Sequence, residues 1–257
     1  ENYLYVTKET GHYPKQALPK PNYAPIIPKN AEASSDYVKQ LERIPARETT
    51  PHFLDFEQDV YREQLTPLVT LYVTPNSVND IFSLTLCHGV GKLERKELEK
   101  LAAYLPLIAT ESMSFEAFRG KLQELGSTLL FDATDTDFRI MLNGFDSHLT
   151  ETLTLLGDFL RHAKPDEKKL RQLIDEEKMV EKSLFHSNET VADMLLEKVM
   201  YGDASRFLTK LTLGEVKKLK GQQLINCFQE IRRMACDVHY CGTLSEEEVA
   251  AAIRQCL

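Results

Sequence analysis

Short runs of β-branched and aromatic residues predict strands from about residue 52 onward. The runs form two pairs, residues 68–74 with 81–90 and residues 127–133 with 137–143. Pro75-Asn76 predicts a turn that joins the first pair. In the last strand Phe138, Ile140 and Leu142 share one side, which indicates a sheet with one buried face.

Apolar residues that recur every three or four positions predict helices between and after these strands. Gly126 marks the end of one helix, and Pro165 marks the first turn of another. Ser245 and Glu248 have the spacing of a capping box and mark the start of the last helix. The predicted helices cover residues 94–109, 115–125, 148–162, 165–185, 191–200, 214–220, 222–234 and 245–256, and a further strand covers residues 236–241.

The order of these elements predicts an α+β fold over residues 52–257. Strand pairs alternate with groups of helices, which is typical of an antiparallel-rich mixed sheet with helices layered on one face. Residues 1–51 hold seven of the eleven prolines, which excludes a regular sheet or one long helix there. We expect this segment to be a proline-rich connector that wraps over a neighbouring surface, with one short helix over residues 34–41.

The composition is that of an ordinary soluble globular protein, with 42% hydrophobic and 27% charged residues. The formal net charge of −8 disfavours nucleic acid as a partner, because an acidic surface repels phosphate backbones. No apolar run approaches the ~20 residues that cross a bilayer, so no membrane span is expected. Residue 1 is Glu rather than Met, so we expect a piece of a longer protein. The compartment stays open, and a bacterial cytoplasm or periplasm would both fit.

Cys236, His239 and Cys241 are the tightest cluster of potential metal ligands. Side chains alternate along a strand, so His239 and Cys241 would share one face while Cys236 points to the other. Two converging ligands are too few for zinc, which takes three or four. We therefore interpret this segment as structural, with Cys236, Val238 and Tyr240 facing the core.

Three other motifs are weak candidates for chemistry. The adjacent Cys87 and His88 would face opposite sides of a strand, so they do not form a nucleophile–base couple. The GxG that follows lacks the rest of a phosphate-binding motif. Asp132, Asp135 and Asp137 resemble half of a calcium loop but lack its glycine and closing glutamate, which favours a solvated hairpin turn. The residues alone thus predict a domain without a visible active site.

Several segments, taken in order, carry a resemblance to one peptidase family. They are residues 81–91, 105–110, 114–118, 125–126, 138–142, 153–160, 201–202 and 238–242. These segments are similar to the strands, helix ends and closing strand–Gly–helix of the pitrilysin, insulinase and mitochondrial-processing-peptidase family of zinc peptidases, the inverzincins. The resemblance covers about residues 60–257 and implies the LuxS/MPP-like metallohydrolase fold.

Active members of that family carry His-x-x-Glu-His on the first helix, where the histidines bind zinc and the glutamate activates water. The corresponding positions here are Lys100, Ala103 and Tyr104, so both histidines and the base are absent. Three acids of the long helix lie where the family has its third zinc ligand: Glu176, Glu177 and Glu181. The resemblance therefore implies a degenerate motif, with no catalytic residue, metal ligand or cofactor in this chain.

The resemblance also implies a role and partners. Long members of the family contain tandem copies of this domain, of which only the first holds zinc, while the others build a chamber around a peptide. A proline-rich connector before a silent copy matches the junction between the two halves, so we expect the third copy. Zinc is then expected in the N-terminal catalytic half of the same polypeptide or in a sister subunit.

Two alternatives to this hypothesis stay open. Silent copies of the same fold also serve as structural scaffolds or regulatory subunits without a peptidase role. An independent hydrolase with an unfamiliar site is the third hypothesis, although we expect no peptide turnover by the chain alone.

Overall fold

The computed structural model divides the chain into two units, Glu1–His52 and Phe53–Leu257. The residues it describes are 7, 11, 25–26, 29, 33–46, 50–51, 53–184 and 186–257.

The first unit contains the short helix α1, Asp36–Glu42. The Ser35 side chain caps this helix by accepting a hydrogen bond from the Val38 amide at 3.2 Å. None of the residues of α1 is buried. The predicted helix over residues 34–41 is thus confirmed, whereas the role of residues 1–51 as a connector stays a prediction.

The second unit contains a mixed β-sheet. Its strands are β1 (Tyr61–Thr66), β2 (Val69–Pro75), β3 (Ile81–His88), β4 (Ala109–Thr110), β5 (Thr128–Ala133), β6 (Phe138–Phe145), β7 (Ala163–Lys164) and β8 (Cys236–Gly242). Among the described residues, six of them form one sheet in the order β1-β2-β8-β3-β6-β5, and β4 pairs with β7. Strands β2 and β8 run parallel, and the other neighbours in the large sheet run antiparallel.

Helices follow and separate these strands. They are α2 (Leu98–Tyr104), α3 (Phe115–Glu124), α4 (Leu149–His162), α5 (Glu167–Leu184), α6 (Asn188–Tyr201), α7 (Arg206–Thr209), α8 (Leu213–Val216), α9 (Gly221–Ile231) and α10 (Glu246–Cys256). The predicted capping box of Ser245 and Glu248 is confirmed at the start of α10. Gly126, which follows α3, has a φ of 63°, the left-handed conformation that favours glycine at a helix end. None of the helices in the described part of the chain is long and apolar enough to cross a membrane.

The helices cover one face of the sheet, and this layering confirms the predicted α+β fold. Buried residues alternate with more exposed ones along β6 and β8, so one side of each strand faces the core. On that side Leu84, Ile140 and Val238 are almost fully buried. Helices α4, α9 and α10 supply the opposing apolar side chains, such as Leu153, Phe228 and Val249. This burial of apolar area is the main source of stability for the unit.

The predicted turn between β2 and β3 is wrong as a hairpin. Strand β8 lies between them, pairing parallel with β2 and antiparallel with β3. The intervening loop instead passes the end of β8, where the Asn76 amide donates to the Gly242 carbonyl at 2.7 Å. A strand from a distant part of the chain can insert between two strands that are neighbours in sequence. The local sequence pattern of β2 and β3 does not indicate that β8 does so.

Strand β1 was not predicted. Its residues are mainly polar, and only Leu65 packs on the core. Within the part of the chain that the structure describes, it pairs with β2 alone and is an edge strand of the sheet. Polar edge strands lack the apolar alternation on which strand prediction depends.

The helix predicted over residues 94–109 is shorter than expected. Residues before Leu98 form turns that hydrogen-bond to the Asp135 loop and to Gly91, and helix α2 begins only at Leu98. A 3-10 turn that contains Pro106 follows α2, because proline lacks the amide hydrogen that would continue the helix. The shortening leaves α2 two turns long, with one side packed against α5 and α9.

Candidate functional site

The positions that the resemblance compares with the zinc motif, Lys100, Ala103 and Tyr104, lie on helix α2, which packs against helix α5. We call them the degenerate motif. Lys100 has 7% of its surface exposed, which is rare for a lysine. Its ammonium donates a hydrogen bond to Glu177 Oε2 on α5 at 2.7 Å and another to Glu99 Oε1 at 3.0 Å. The structure thus brings together the first motif position and one of the three candidate acids.

The two carboxylates keep Lys100 charged. Burial on its own lowers the pKa of this lysine, but the hydrogen bonds and negative charges of Glu177 and Glu99 outweigh burial and raise the pKa. A protonated ammonium has no lone pair for a metal. The position therefore supplies positive charge instead of a ligand.

Tyr104 lies one helical turn beyond Lys100 and is fully buried. Its hydroxyl accepts a hydrogen bond from the Asp166 amide at 2.7 Å and donates one to the Asp166 carbonyl at 3.2 Å. Burial, the largest effect, raises the pKa of the phenol. Tyr104 thus anchors α2 to the residue that precedes α5, and its oxygen is not free for a metal.

The other predicted positions do not join this contact. Ala103, at the position of the catalytic base, is exposed on α2. Glu176 and Glu181 are exposed on α5, with no hydrogen bond to α2 among the residues that the structure describes. Of the three acids, Glu177 alone contacts the degenerate motif within the described residues.

These side chains do not fit a catalytic zinc ion. Such a site needs three protein ligands with free lone pairs and a general base. Here the three positions carry an ammonium paired with Glu177, a methyl group, and a phenol that is hydrogen-bonded to the Asp166 backbone. Over the described ranges, no group of three or more His, Cys, Asp or Glu side chains is arranged to hold a metal.

The strand that carries Cys236, His239 and Cys241 has the predicted alternation. Cys236, Val238 and Tyr240 are buried, whereas His239 and Cys241 are exposed on the opposite face. His239 stacks on Tyr72 of the neighbouring strand with the ring centroids 4.9 Å apart. The structural interpretation of this segment is therefore confirmed.

Cys87 and His88 face opposite sides of β3, as predicted. His88 is buried, and its Nδ1 lies 3.2 Å from the Ala235 carbonyl oxygen. Cys87 is half-buried beside Asp137 and Arg139, and burial raises the pKa of its thiol. A thiol with a raised pKa is a poor nucleophile, and its neighbour His88 is not aligned to deprotonate it.

The Asp132–Asp137 segment is a hairpin turn that satisfies its own polar groups. Asp137 accepts hydrogen bonds from Thr136 Oγ1 at 3.1 Å and from Arg139 at 3.1 Å. The turn also packs on Gly91, where a Cβ atom would lie 2.1 Å from the Asp135 carbonyl oxygen. The second glycine of the GxG motif is thus required for close packing of two loops.

Sequence reasoning missed a buried polar cluster around Asp146. The Asp146 carboxylate accepts hydrogen bonds from the Tyr240 hydroxyl, from the Thr243 amide at 3.0 Å and from the Thr243 hydroxyl at 2.8 Å. The cluster joins the end of β6 to the end of β8. No local sequence signal predicts it, because Asp146 is 94 residues from Tyr240 and 97 residues from Thr243.

Comparison with known proteins rests on structure. No protein-family model and no curated protein matches the sequence. The solved structure of a peptidase M16 inactive domain from Pseudomonas fluorescens matches with a TM-score of 0.66 and 13% identity, over 77% of this chain and 50% of that one. This chain has the fold of a peptidase M16 domain. The resemblance predicted from the sequence is thereby confirmed at the level of the fold.

Two proteases contain the same fold in part of their chains. The periplasmic protease PqqL from Escherichia coli matches with a TM-score of 0.65 and 10% identity, over 87% of this chain. The ferredoxin protease FusC, in complex with Arabidopsis ferredoxin, matches with a TM-score of 0.67 and 11% identity, over 86% of this chain. The M16-fold chain spans only 28% of the length of either protease.

Proposed function

We propose that the chain is a non-catalytic domain of a larger M16-type zinc peptidase. In this role it forms the chamber wall opposite the zinc-bearing half and helps to hold the peptide substrate. The observation that supports the proposal is the Lys100–Glu177 ion pair on an M16 fold. By the sequence resemblance, this charged lysine takes the place of a zinc ligand.

An exposed apolar helix supports a partner half. Helix α6 has no buried residue, although half of its residues are apolar. Leu195 is 63% exposed, Val199 83% and Met200 62%. Contiguous apolar surface of this kind marks a protein-binding site. We assign α6 as a contact to the zinc-bearing half or to a sister subunit.

A cavity beside α2 supports contact with peptide. It has a volume of about 250 Å³ and is lined by two carboxylates and four cationic side chains. One of the carboxylates belongs to Glu99, which also bonds to Lys100, so the cavity adjoins the degenerate motif. Among the described residues, Lys96 and Lys210 in its wall form no ion pair, and they would attract the carboxylates of a peptide.

Co-expression tests the role. The chain is produced with the zinc-bearing half that precedes it in the same reading frame, or with a separately encoded sister subunit, and a mixed peptide pool is then digested. We expect a stable complex on size exclusion, with cleavage only when both parts are present. A zinc-bearing half that cleaves equally well alone, or that never associates with this chain, contradicts the proposal.

Variants of α6 make the test specific. Val199→Glu places a charge in the apolar surface and is expected to dissociate the complex without changing the fold. Thr190→Glu adds the same charge on the opposite side of the same helix and is the matched control. A complex that binds no peptide and shows no cleavage would instead favour the scaffold hypothesis.

A further inference from the structure

A cavity of about 280 Å³ lies between the sheet and the C-terminal parts of three helices. Val69, Leu86 and Val238 of the sheet line one side. Leu160 near the end of α4 and Ile253 near the end of α10 line the other. The volume corresponds to roughly nine water molecules, enough for an apolar chain of about ten carbon atoms. An apolar cavity with a few polar groups is the usual form of a small-ligand site.

Arg232 is the cation in the wall of this cavity whose charge is not balanced. Its Nη1 donates to the Leu160 carbonyl and, at 2.8 Å, to Gln229 Oε1. Neither acceptor carries a full charge. Across the described residues no carboxylate forms an ion pair with Arg232, and its Nε and Nη2 groups make no hydrogen bond.

Of the two arginines that line the cavity, Arg232 is the one available to bind an anion. Arg254 also lines the cavity, but it forms an ion pair with Glu63. Burial lowers the pKa of Arg232, and the positive charges of Arg161 and Arg233 lower it further. A nearby anion would relieve both effects, since it would pair with the partly buried cation.

His88 contributes polarity to the same wall without adding charge. Burial lowers its pKa, and its Nδ1 lies 3.2 Å from the Ala235 carbonyl oxygen. A neutral ring that donates from Nδ1 keeps Nε2 as an acceptor. Among the described residues, the cavity therefore combines an apolar body with one cation that forms no ion pair.

We infer that this cavity binds a small amphipathic carboxylate, with its apolar chain along the sheet and its carboxylate on Arg232. The free Nε and Nη2 edge of a guanidinium matches the two oxygens of a carboxylate. The apolar chain gains by leaving water for the surface formed by Val69, Leu86 and Ile253. This inference does not depend on the proposed peptidase role, because no partner enters it.

Calorimetric titration of the full 257-residue chain with decanoate tests the inference. We expect saturable binding with one site. Decanol, which has the same chain without the charge, should bind at least about tenfold more weakly, since a charge-assisted hydrogen bond is worth about 1.5–3 kcal/mol.

Paired arginine variants locate the site. Arg232→Gln should weaken decanoate binding by about tenfold or more and leave decanol binding unchanged. Arg233→Gln, at the exposed neighbouring position, removes the same charge and should leave both affinities unchanged. Arg232→Lys keeps the charge but loses the planar guanidinium with its paired N–H donors. Its affinity for decanoate should therefore lie between those of the unmodified chain and Arg232→Gln.

A cavity-filling variant covers the case in which Arg232→Gln does not fold. Val69→Phe places a ring in the cavity wall and should abolish binding of both probes. Absence of saturable decanoate binding to the unmodified chain overturns the inference. Equal decanoate affinity in folded Arg232→Gln or Val69→Phe protein overturns it as well.

Discussion

The ammonium of Lys100 lies 2.7 Å from the carboxylate of Glu177. By the resemblance to the zinc peptidases, Lys100 occupies the position of the first histidine. Glu177 is one of the three acids, with Glu176 and Glu181, that lie where the third ligand is expected. The chain itself thus places a positive charge beside the carboxylate that would otherwise face a metal. The ion pair balances the charge of Glu177 and joins α2 to α5.

We predict that this ion pair stabilises the domain. Its side chains are 9% and 22% exposed, so loss of one partner leaves a poorly solvated charge. Lys100→Met and Glu177→Gln should each lower the free energy of unfolding by about 1–3 kcal/mol. In a double-mutant cycle by urea denaturation, the coupling energy should be about 1–2 kcal/mol. Lys168→Met, at an exposed position of α5, is the control, and a coupling energy near zero contradicts the prediction.

The alignment to the zinc motif can be tested by restoring it. The triple variant Lys100→His/Ala103→Glu/Tyr104→His should bind one zinc ion per chain, whereas the unmodified chain should bind none tightly. We expect the variant to be less stable without zinc, because Tyr104 loses its hydrogen bonds to Asp166. Metal analysis after dialysis and calorimetric titration measure both properties.

The third ligand follows from additional variants in the same background. Glu177→Gln should abolish zinc binding by the triple variant, and Glu181→Gln should leave it unchanged. The reverse outcome would show that Glu181, one helical turn beyond Glu177, occupies the position of the third ligand. A folded triple variant that binds no zinc at all would mean that Lys100, Ala103 and Tyr104 are not the motif positions.

The thiols should differ widely in reactivity. Burial raises the pKa of Cys227 to about 12 and that of Cys236 to about 12, so both stay protonated at neutral pH. Cys241 is exposed. In a native-state titration with a thiol reagent we expect Cys241 to react quickly, and Cys227 and Cys236 only after denaturation. Peptide mapping identifies the labelled residues, and fast labelling of Cys236 in the folded chain would refute its assignment to the core.

Stability should fall below neutral pH because of His88. Burial lowers the pKa of His88 in the folded state, so the unfolded chain binds a proton first. The loss begins as the pH falls through the unfolded value of about 6.5 and is complete below the folded value. Over this range of pH, the free energy of unfolding falls by at most about 1.4 kcal/mol per pH unit because of His88. Urea denaturation between pH 8 and 5 measures the slope, and His88→Asn, which keeps a donor near the Ala235 carbonyl, should reduce it.

Much of the domain could be predicted because its signals are local. The alternation along residues 236–241 identified the buried side of β8, and Ser245 with Glu248 identified the start of α10. Both depend only on the period of the strand and on the amides at a helix start. The absence of histidine at positions 100 and 104 and of glutamate at position 103 is likewise read directly from the sequence.

Contacts between distant segments could not be predicted in this way. Strand β8 separates β2 from β3, although about 150 residues of chain lie between β3 and β8. The sequence shows a lysine at position 100 and a glutamate at position 177, but only the packing of α2 on α5 pairs them. The cavity at Arg232 and the cluster at Asp146 likewise exist only where remote elements meet. The sequence by itself determined the local elements and the residue types at the positions compared with the zinc motif, since each follows from backbone geometry or residue identity. Tertiary structure decided strand order, pairing and cavities, because these depend on which distant surfaces bury the most apolar area together.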